Sequence, residues 1–519
     1  MRPLLQEIQS LHTPETLAAQ LHSERGLVVL RSALPEPSLS RYSFVAARPF
    51  LTFRSFGSRC ELDSPRHVQF GDPWKVLDGL MARYELLDEI DLPFPLGGCF
   101  GFWGYELKNF VEPRLPRRAV NDLELPDCHA GFYDSLVVFD HSLGKTWIVS
   151  TGLRADGTSN ARHARAQLDF WQDQLLTIPK MRSGVSSERR HNSSPKPTPA
   201  LPDAPPAPEI GSNWTREEFI RAVRRAQEYI RAGDIYQVNL SHRLSALLNC
   251  PAHNFFQRLC DVSPAPFSAF LDCGDFQICS SSPELFLRLS GGHVQTRPIK
   301  GTRPRAADPM RDAQLAYELQ TSAKEMAELV MITDLLRNDL GKVCEFGSVQ
   351  VPDLARLERY SQVQHLVSTV NGRLRPGQTH FSAFASCFPG GSVTGAPKIR
   401  AMEIIDELEP LSRGPYTGAL GYLGFNRESQ LSITIRTAIC RENRIHFQAG
   451  AGIVSDSIAE AEYEETLAKA GGFFAALRHA ERSTLCSGAR ENAAIPARSA
   501  SRETVAFRFD ELIGKRLYF

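Results

Sequence analysis

Carboxylates at helical spacing, two glycine-rich stretches and one lysine in a short turn are the side chains of this sequence that could do chemistry together. Glu328 sits among Ala327, Leu329, Val330 and Met331. A lone carboxylate in such an apolar run needs a partner or a metal, and an i,i+4 pair with Lys324 on an exposed face would serve it equally well. Glu462 and Glu465 lie three apart, hence on one helix face, with Lys469 a turn further on. Taken alone, they read as an acidic first turn favoured by the helix dipole. Three carboxylates without a Cys or His cluster suit a hard cation such as Mg2+, which keeps waters and bridges to anionic groups.

Anion sites accompany the acids. Pro389-Gly-Gly-Ser-Val-Thr-Gly-Ala-Pro-Lys398 is a Gly-rich turn entering a helix, with Pro397 suited to the first helical position. Free N–H groups at such a start bind phosphate or carboxylate, although an ordinary tight loop has the same composition. Gln448-Ala-Gly-Ala-Gly452 offers a second close backbone approach. Arg436, in an expected strand over 431–440, could grip a carboxylate with two parallel hydrogen bonds. Tyr416 stands at the head of the preceding strand. Lys300, between Ile299 and Gly301, is the reactive candidate: burial lowers a lysine's pKa and frees the amine as a nucleophile. By itself it would be a surface lysine in a turn.

These residues must be positioned by recognisable elements. Val-, Phe- and Leu-rich runs at 26–33, 42–53 and 135–150 read as strands, and helices are expected over 73–84 and 158–176. Thr215-Arg-Glu-Glu218 is a capping box that opens a helix ended by Gly233. A period-two strand follows, with Tyr236, Val238 and Leu240 on one face and Gln237, Asn239, Ser241 and Arg243 on the other. Residues 308–343 read as two helices, the second capped by Ser322-x-x-Glu325. Antiparallel strands are expected over 415–455 around Asn426-Arg427-Glu428. Ser457-x-x-Glu460 would cap a last long helix interrupted at Gly471-Gly472. Strict βαβ alternation is missing, which favours an α+β fold with large antiparallel sheets over a doubly wound one.

Composition narrows the class of function. The 519 residues carry 59 Lys and Arg against 59 Asp and Glu, so nothing draws the chain to bulk nucleic acid or an anionic membrane. No stretch nears the roughly 20 apolar residues that span a bilayer, and the start has no signal-peptide core. Eleven Cys, none in C-x-x-C, fit free thiols in a reducing cytoplasm. Residues 181–210, dense in Ser, Pro and Arg, read as a linker. The organisation expected is therefore an N-terminal region over 1–180, that linker, a catalytic region over 211–481 and a tail over 482–519. Gly97-Gly-Cys99-Phe-Gly101 matches a nucleophile elbow, but residues 102–210 lack the His-x-Glu pair that a glutaminase thiolate needs. Cys99 is therefore expected to be a buried strand residue.

Taken in order, several blocks resemble the chorismate-utilising enzymes, a family that includes component I of anthranilate and aminodeoxychorismate synthases and the isochorismate and salicylate synthases. They are PIKGT (298–302), AELVMITDLLRNDLG (327–341), VQHLVSTVNG (363–372), PGGSVTGAPKIRAMEIIDELE (389–409), RGPYTGALGY (413–422), ITIRTA (433–438) and QAGAGIV (448–454), followed by the acidic helix 460–469. Weaker matches lie at 40–49 and 97–107. The resemblance implies an α/β sandwich of two large antiparallel sheets with outer helices. It implies a Mg2+ held by Glu328 and Glu465 with Glu462 in support, bridging to the ring carboxylate of chorismate. Gly301, Thr302, Gly450 and Gly452 would approach the substrate, Tyr416 and Arg436 would hold its enolpyruvyl carboxylate, and His365 and Thr394 would line the ring.

Single residues then separate the branches of the family. Where isochorismate and salicylate synthases place a Lys that activates water, this chain has Gln237. A neutral amide cannot deprotonate water, so ammonia is the expected nucleophile. Anthranilate synthases usually read PIAGT where this chain has PIKGT, and Pro-Tyr-Met where it has Pro266-Phe267-Ser268. The resemblance therefore implies the aminodeoxychorismate branch: Lys300 as nucleophile, Glu284 as acid, and amination at C4 toward p-aminobenzoate and folate. Ammonia would come from a separate glutamine amidotransferase subunit. The anthranilate branch, which releases pyruvate, and a catalytically idle ligand-binding subunit are the competing expectations.

Overall fold

The computed structural model describes residues 2–32, 40–64, 66–86, 92–178, 209–360, 363–484 and 505–507. Within them the strands form two sheets, of thirteen and twelve strands, with antiparallel pairing throughout. In the larger sheet the neighbours run Leu4–Ile8, Lys145–Ser150, Ser135–Asp140, Tyr42–Ala46, Val28–Arg31, Phe267–Asp272, Gln277–Ser282, Thr437–Arg441, Arg444–Ile453, Gln237–Leu247, Ile210–Ser212 and Val505–Phe507. The short strand Gly395–Ala396 pairs beside Gln237–Leu247. In the smaller sheet they run Ile299–Pro304, Val363–Arg373, His293–Arg297, Leu285–Ser290, Glu428–Ile433, Ala419–Gly424, Gly98–Trp103, Cys128–Tyr133, Leu51–Phe56, Arg59–Asp63 and Arg66–Phe70, with Gln350–Arg359 also on Val363–Arg373. Both sheets thus mix strands from either side of 181–210.

Alternation along the strands creates the layers. In Gly98–Trp103, Phe100 and Phe102 face inward, where they pack with Val28, Phe44, Val138 and Ile278 of the other sheet. Cys99 and Trp103 face outward, under Trp74 and Leu77 of helix Pro73–Tyr84 and Phe381 and Phe384 of helix His380–Cys387. The outer face of the larger sheet is covered by Leu168 and Trp171, Phe219 and Val223, and Phe255 and Leu259, from three further helices. The result is an α+β sandwich with helices outside both sheets, as the family resemblance implies. Strands covered on both sides explain why so many runs read as continuously apolar.

Several elements lie where the sequence places them. Helix Pro73–Tyr84 is capped by Asp72, helix Arg216–Arg231 by the Thr215/Glu218 box, and 308–343 holds two helices, Pro309–Gln320 and Ala323–Gly341. Others differ. The run at 42–53 is two strands in different sheets, split where Arg48 takes φ +58° before Pro49. Tyr236 is exposed ahead of its strand rather than sharing the buried face of Val238 and Leu240. Pro397 is the N-cap of helix Lys398–Leu408, not its first residue. Ser457 caps nothing: Ile458 precedes helix Ala459–Lys469, and the Ser457 hydroxyl donates to Glu462 Oε1 at 2.6 Å. Of the 181–210 stretch, residues up to 208 lie outside the described residues, and Ile210 opens a strand. The 482–519 tail is described only through Thr484 and over Val505–Phe507, which pairs with Ile210–Ser212. Cys99 is fully buried, as expected for a strand residue, and desolvation keeps its thiol well above the ordinary range, which disfavours the thiolate. Among the described residues no helix is long and apolar enough to cross a membrane.

Candidate active site

The site begins with a break in a strand. Ile299–Pro304 pairs with Val363–Arg373, but the register shifts between Lys300 and Thr302. Gly301 takes the extra position with φ +66°, and a Cβ there would meet Leu319 Cδ1 at 2.6 Å. Such a bulge re-aims the neighbouring side chain. Lys300 reaches across to helix Ala323–Gly341, where its Nζ lies 3.4 Å from Glu328 Oε2, and both side chains are largely buried. The partner of Glu328 is therefore a residue from another layer rather than Lys324 one turn away.

The opposite wall belongs to the larger sheet. Gly450 and Gly452, on Arg444–Ile453, pair with Ser241 and Asn239. A Cβ on Gly450 would stand 2.7 Å from the Tyr416 hydroxyl, and one on Gly452 would stand 2.7 Å from Gln237 Nε2 and 3.7 Å from Lys300 Nζ. Both glycines are thus the clearance that lets side chains of other elements approach this strand. Gln237 is buried with its Oε1 unpaired, a group waiting for a donor. Tyr416 is also buried, and desolvation pushes its phenol up to about 12, so it acts as a neutral donor.

Glu284 lies in the link between Gln277–Ser282 and Leu285–Ser290. Burial raises its carboxyl to about 7, against the opposing pull of the Ser392 hydroxyl, the Lys300 charge and the Ile299 amide. It can therefore carry a proton near neutrality, as a general acid must. Ser392 escapes a sequence reading, because a serine within a glycine-rich loop looks like loop chemistry.

Arg436 is not inside a strand. The chain leaves the smaller sheet at Ile433 and enters the larger at Thr437, and Arg436 occupies the crossing with φ +49°. Among the described residues no carboxylate pairs with its guanidinium, and burial lowers its pKa. An unpaired, desolvated cation is costly unless an anion completes it. His365 feels its charge; burial first and Arg436 second hold that imidazole down at about 4, so it is neutral. Its Nδ1 lies 2.9 Å from the Thr302 hydroxyl.

The remaining acids are held by ammonium groups and a hydroxyl. Burial raises the Glu465 carboxyl, but Lys469, 2.7 Å away, together with Lys300 and Lys324, brings it below the ordinary range. Lys469 also donates to the Gly450 carbonyl at 2.8 Å. Burial raises Glu462, which accepts from Ser457 and feels the charge of Glu465. Among the described residues no three ligating side chains converge as a closed metal cage. Glu328 faces Lys300 and Glu465 faces Lys469 while also feeling the Lys300 charge, and the two carboxylates are an oxygen-only donor set. Such a set would suit a Mg2+ that drew the rest of its shell from water and substrate.

The glycine-rich turn closes the site from behind. Thr394 is fully buried; its hydroxyl donates to the Gly390 carbonyl at 3.1 Å, and its carbonyl accepts from Asn239 N at 2.8 Å. Lys398 is structural: it donates to Asp339 Oδ2 at 2.5 Å and to the carbonyls of Cys387 and Pro389. Arg413, which sequence reading passed over, is fully buried. It donates to both oxygens of Glu409, to the Val393 carbonyl and to the Asn239 carbonyl. It therefore ties the turn, the Gln237–Leu247 strand and Tyr416 to one point. An Arg and a Glu four apart would otherwise suggest a surface pair.

Both the sequence and the fold match known proteins. Residues 40–475 match the model of the chorismate binding enzymes. The chain is 40% identical over 475 residues to anthranilate synthase component 1 of Thermus thermophilus, covering 91% of this chain and 97% of that one. It is 39% identical over 447 residues to aminodeoxychorismate synthase component 1 of Escherichia coli, covering 85% and 91%. The crystal structure of anthranilate synthase component I from Streptococcus pneumoniae superposes with a TM-score of 0.72 at 31% identity, covering 85% and 93%. The fold is that of anthranilate synthase component I. This protein belongs to the chorismate-binding enzyme family and is a chorismate-utilising enzyme.

Proposed function

We propose that this enzyme is the aminating component of an aminodeoxychorismate synthase. It would convert chorismate and ammonia to 4-amino-4-deoxychorismate, with ammonia delivered by a separate glutamine amidotransferase and the product serving p-aminobenzoate and folate synthesis. The observation that carries the reading is Lys300, aimed by the Gly301 bulge into the space between Glu328 and Gly452, together with a neutral Gln237 on the facing wall. A lysine there can attack the ring, whereas no base stands in the place of Gln237 to activate water.

Each residue has a part in that reading. Arg436 and Tyr416 hold the enolpyruvyl carboxylate, supplying the anion that the buried guanidinium lacks. His365 and Thr394 line the ring, and Gly301, Thr302, Gly450 and Gly452 allow its close approach. The Lys300 amine adds at C2 as the ring double bonds shift and the C4 hydroxyl leaves. Glu284 gives that hydroxyl its proton, so water departs. Ammonia then adds at C4, the double bonds return, and the bond from C2 to Lys300 breaks. The net change is ammonia in and water out, with the enolpyruvyl group retained. Glu328 and Glu465, with Glu462 behind them, would hold Mg2+, which would neutralise the ring carboxylate.

Relatives named for the anthranilate reaction are as similar as those named for the aminodeoxychorismate reaction, and this supports a second reading as anthranilate synthase component I. Incubation with chorismate, Mg2+ and high ammonium separates the two. The proposed function gives an aminated product that keeps its enolpyruvyl group, without pyruvate. Anthranilate with equimolar pyruvate would replace that reading with the second.

A further inference from the structure

A cavity of about 320 Å3 opens at the opposite end of the sandwich from Lys300. It lies between the edge hairpins Leu51–Phe56, Arg59–Asp63 and Arg66–Phe70 of the smaller sheet and the 272–274 turn of the larger one. The strand that carries Lys300 is at one edge of the smaller sheet, and these hairpins are at the other. None of the candidate catalytic residues lines the cavity.

Its charge is unbalanced. Four guanidinium groups line it, from Arg25, Arg54, Arg59 and Arg66, against the carboxylates of Glu61, Asp63 and Asp272. Asp272 is already taken by neutral donors: the Gly26 and Gly274 amides and the Gln277 side chain. Glu61 is shared between Arg54 at 3.2 Å and Arg59 at 2.7 Å, and Asp63 pairs with Arg25. Three carboxylates therefore stand against four guanidiniums, and Asp272 is bonded to neutral donors rather than to any of the four. The Arg25, Arg54 and Arg59 side chains are between 42% and 68% exposed, and such pairs exchange partners at little cost.

The floor beneath these arginines includes a histidine. His129 lies directly across from Arg54 in the sheet, its ring edge-on to Phe276. Its Nδ1 is shut from solvent and has no hydrogen-bond partner. Burial, then the charges of Arg54 and Arg25, push the imidazole down to about 3, so the arginine field reaches the floor.

We propose that this cavity is a second binding site, separate from the catalytic one, for a small organic polyanion bearing phosphate or carboxylate groups. The guanidiniums would take its charged groups as paired hydrogen bonds, above a floor to which His129 contributes. The volume suits a compact metabolite.

Calorimetric titration of the full chain at low ionic strength tests this, with pyrophosphate and citrate as separate probes. At least one should bind one-to-one, and which one binds distinguishes the phosphate source from the carboxylate source. Binding should persist in Arg436→Gln, which disables the catalytic anion site, and should weaken about tenfold or more in Arg54→Gln/Arg59→Gln. In the unsubstituted protein the His129 imidazole resonances should move on binding, a readout that does not depend on the variants folding. Binding of neither probe would overturn the proposal. So would loss of binding in Arg436→Gln, or saturation that leaves His129 unmoved.

Discussion

Lys300 and Glu328 meet 3.4 Å apart although they come from different layers, an edge strand and a helix. Lys300 gets there only because Gly301 absorbs an extra residue against His365. If its amine is the nucleophile, charge alone will not replace it. Lys300→Arg keeps a cation but no usable nucleophile, and Lys300→Ala removes both. Both should lower turnover by about a hundredfold or more. A protein–substrate adduct trapped by acid quench and read by intact mass should be present in the parent and missing from both variants. Full turnover in Lys300→Arg would rule out the covalent role.

Glu284 sets a pH dependence whose sign is fixed. Its carboxyl is raised by burial to about 7, so the acid form is present below that pH and lost above it. The kcat profile should fall on the alkaline side with a midpoint near 7, and Glu284→Gln should lose that limb and about 10²- to 10⁴-fold in rate. Linkage runs the same way: between roughly pH 4.5 and 7 the folded state holds the proton more tightly than the unfolded chain. This residue's contribution to stability is present below that window and falls as pH rises through it. Glu284→Gln should therefore gain stability relative to the parent at pH 8 compared with pH 5, measured by urea unfolding at both.

Arg436 is poised for an anion at the expense of the fold. Its guanidinium is largely, though not fully, buried without a carboxylate among the described residues, and its backbone sits at φ +49°. Arg436→Met should raise KM for chorismate by about 10- to 100-fold, the range of a charge-assisted hydrogen-bonded pair. It should leave the thermal midpoint unchanged or higher, because an unpaired buried charge is removed. A lowered midpoint with an unchanged KM would make the residue structural instead.

These relationships show what a sequence yields by itself. Helix Pro73–Tyr84 and the Thr215 box were legible because a cap and an apolar face are local signals. The pairing of Lys300 with Glu328 was not, since it depends on how an edge strand lies against a helix, and local spacing pointed to Lys324 instead. Nor was the crossing at Arg436, because a β-rich run reads as one strand whether or not it changes sheets. Ser457 looked like a cap and became a support for Glu462, since the two local patterns share the same residue type. The glycines at 301, 450 and 452 were visible as spacing, but the side chains they make room for were not.

Arg413 and Glu409 supply the last test, one of architecture rather than chemistry. The pair is buried, with side-chain exposures of 1% and 4%. Arg413 spends its remaining donors on the carbonyls of Val393 and Asn239 and on the Thr417 hydroxyl. Glu409 also accepts from the amide and hydroxyl of Ser241. Removing one partner leaves a charge that no neighbour completes, so Glu409→Gln or Arg413→Met should cost about 3–5 kcal/mol of stability. The glycine-rich turn, the Gln237–Leu247 strand and Tyr416 all hang on this pair. Under conditions where the variant remains folded, chorismate KM should rise along with the loss of stability. The double variant Glu409→Leu/Arg413→Met should recover part of the stability, because neither charge is then left unpaired, while KM stays high because the positioning bonds are gone. Recovery of both together would mean that the pair only fills space.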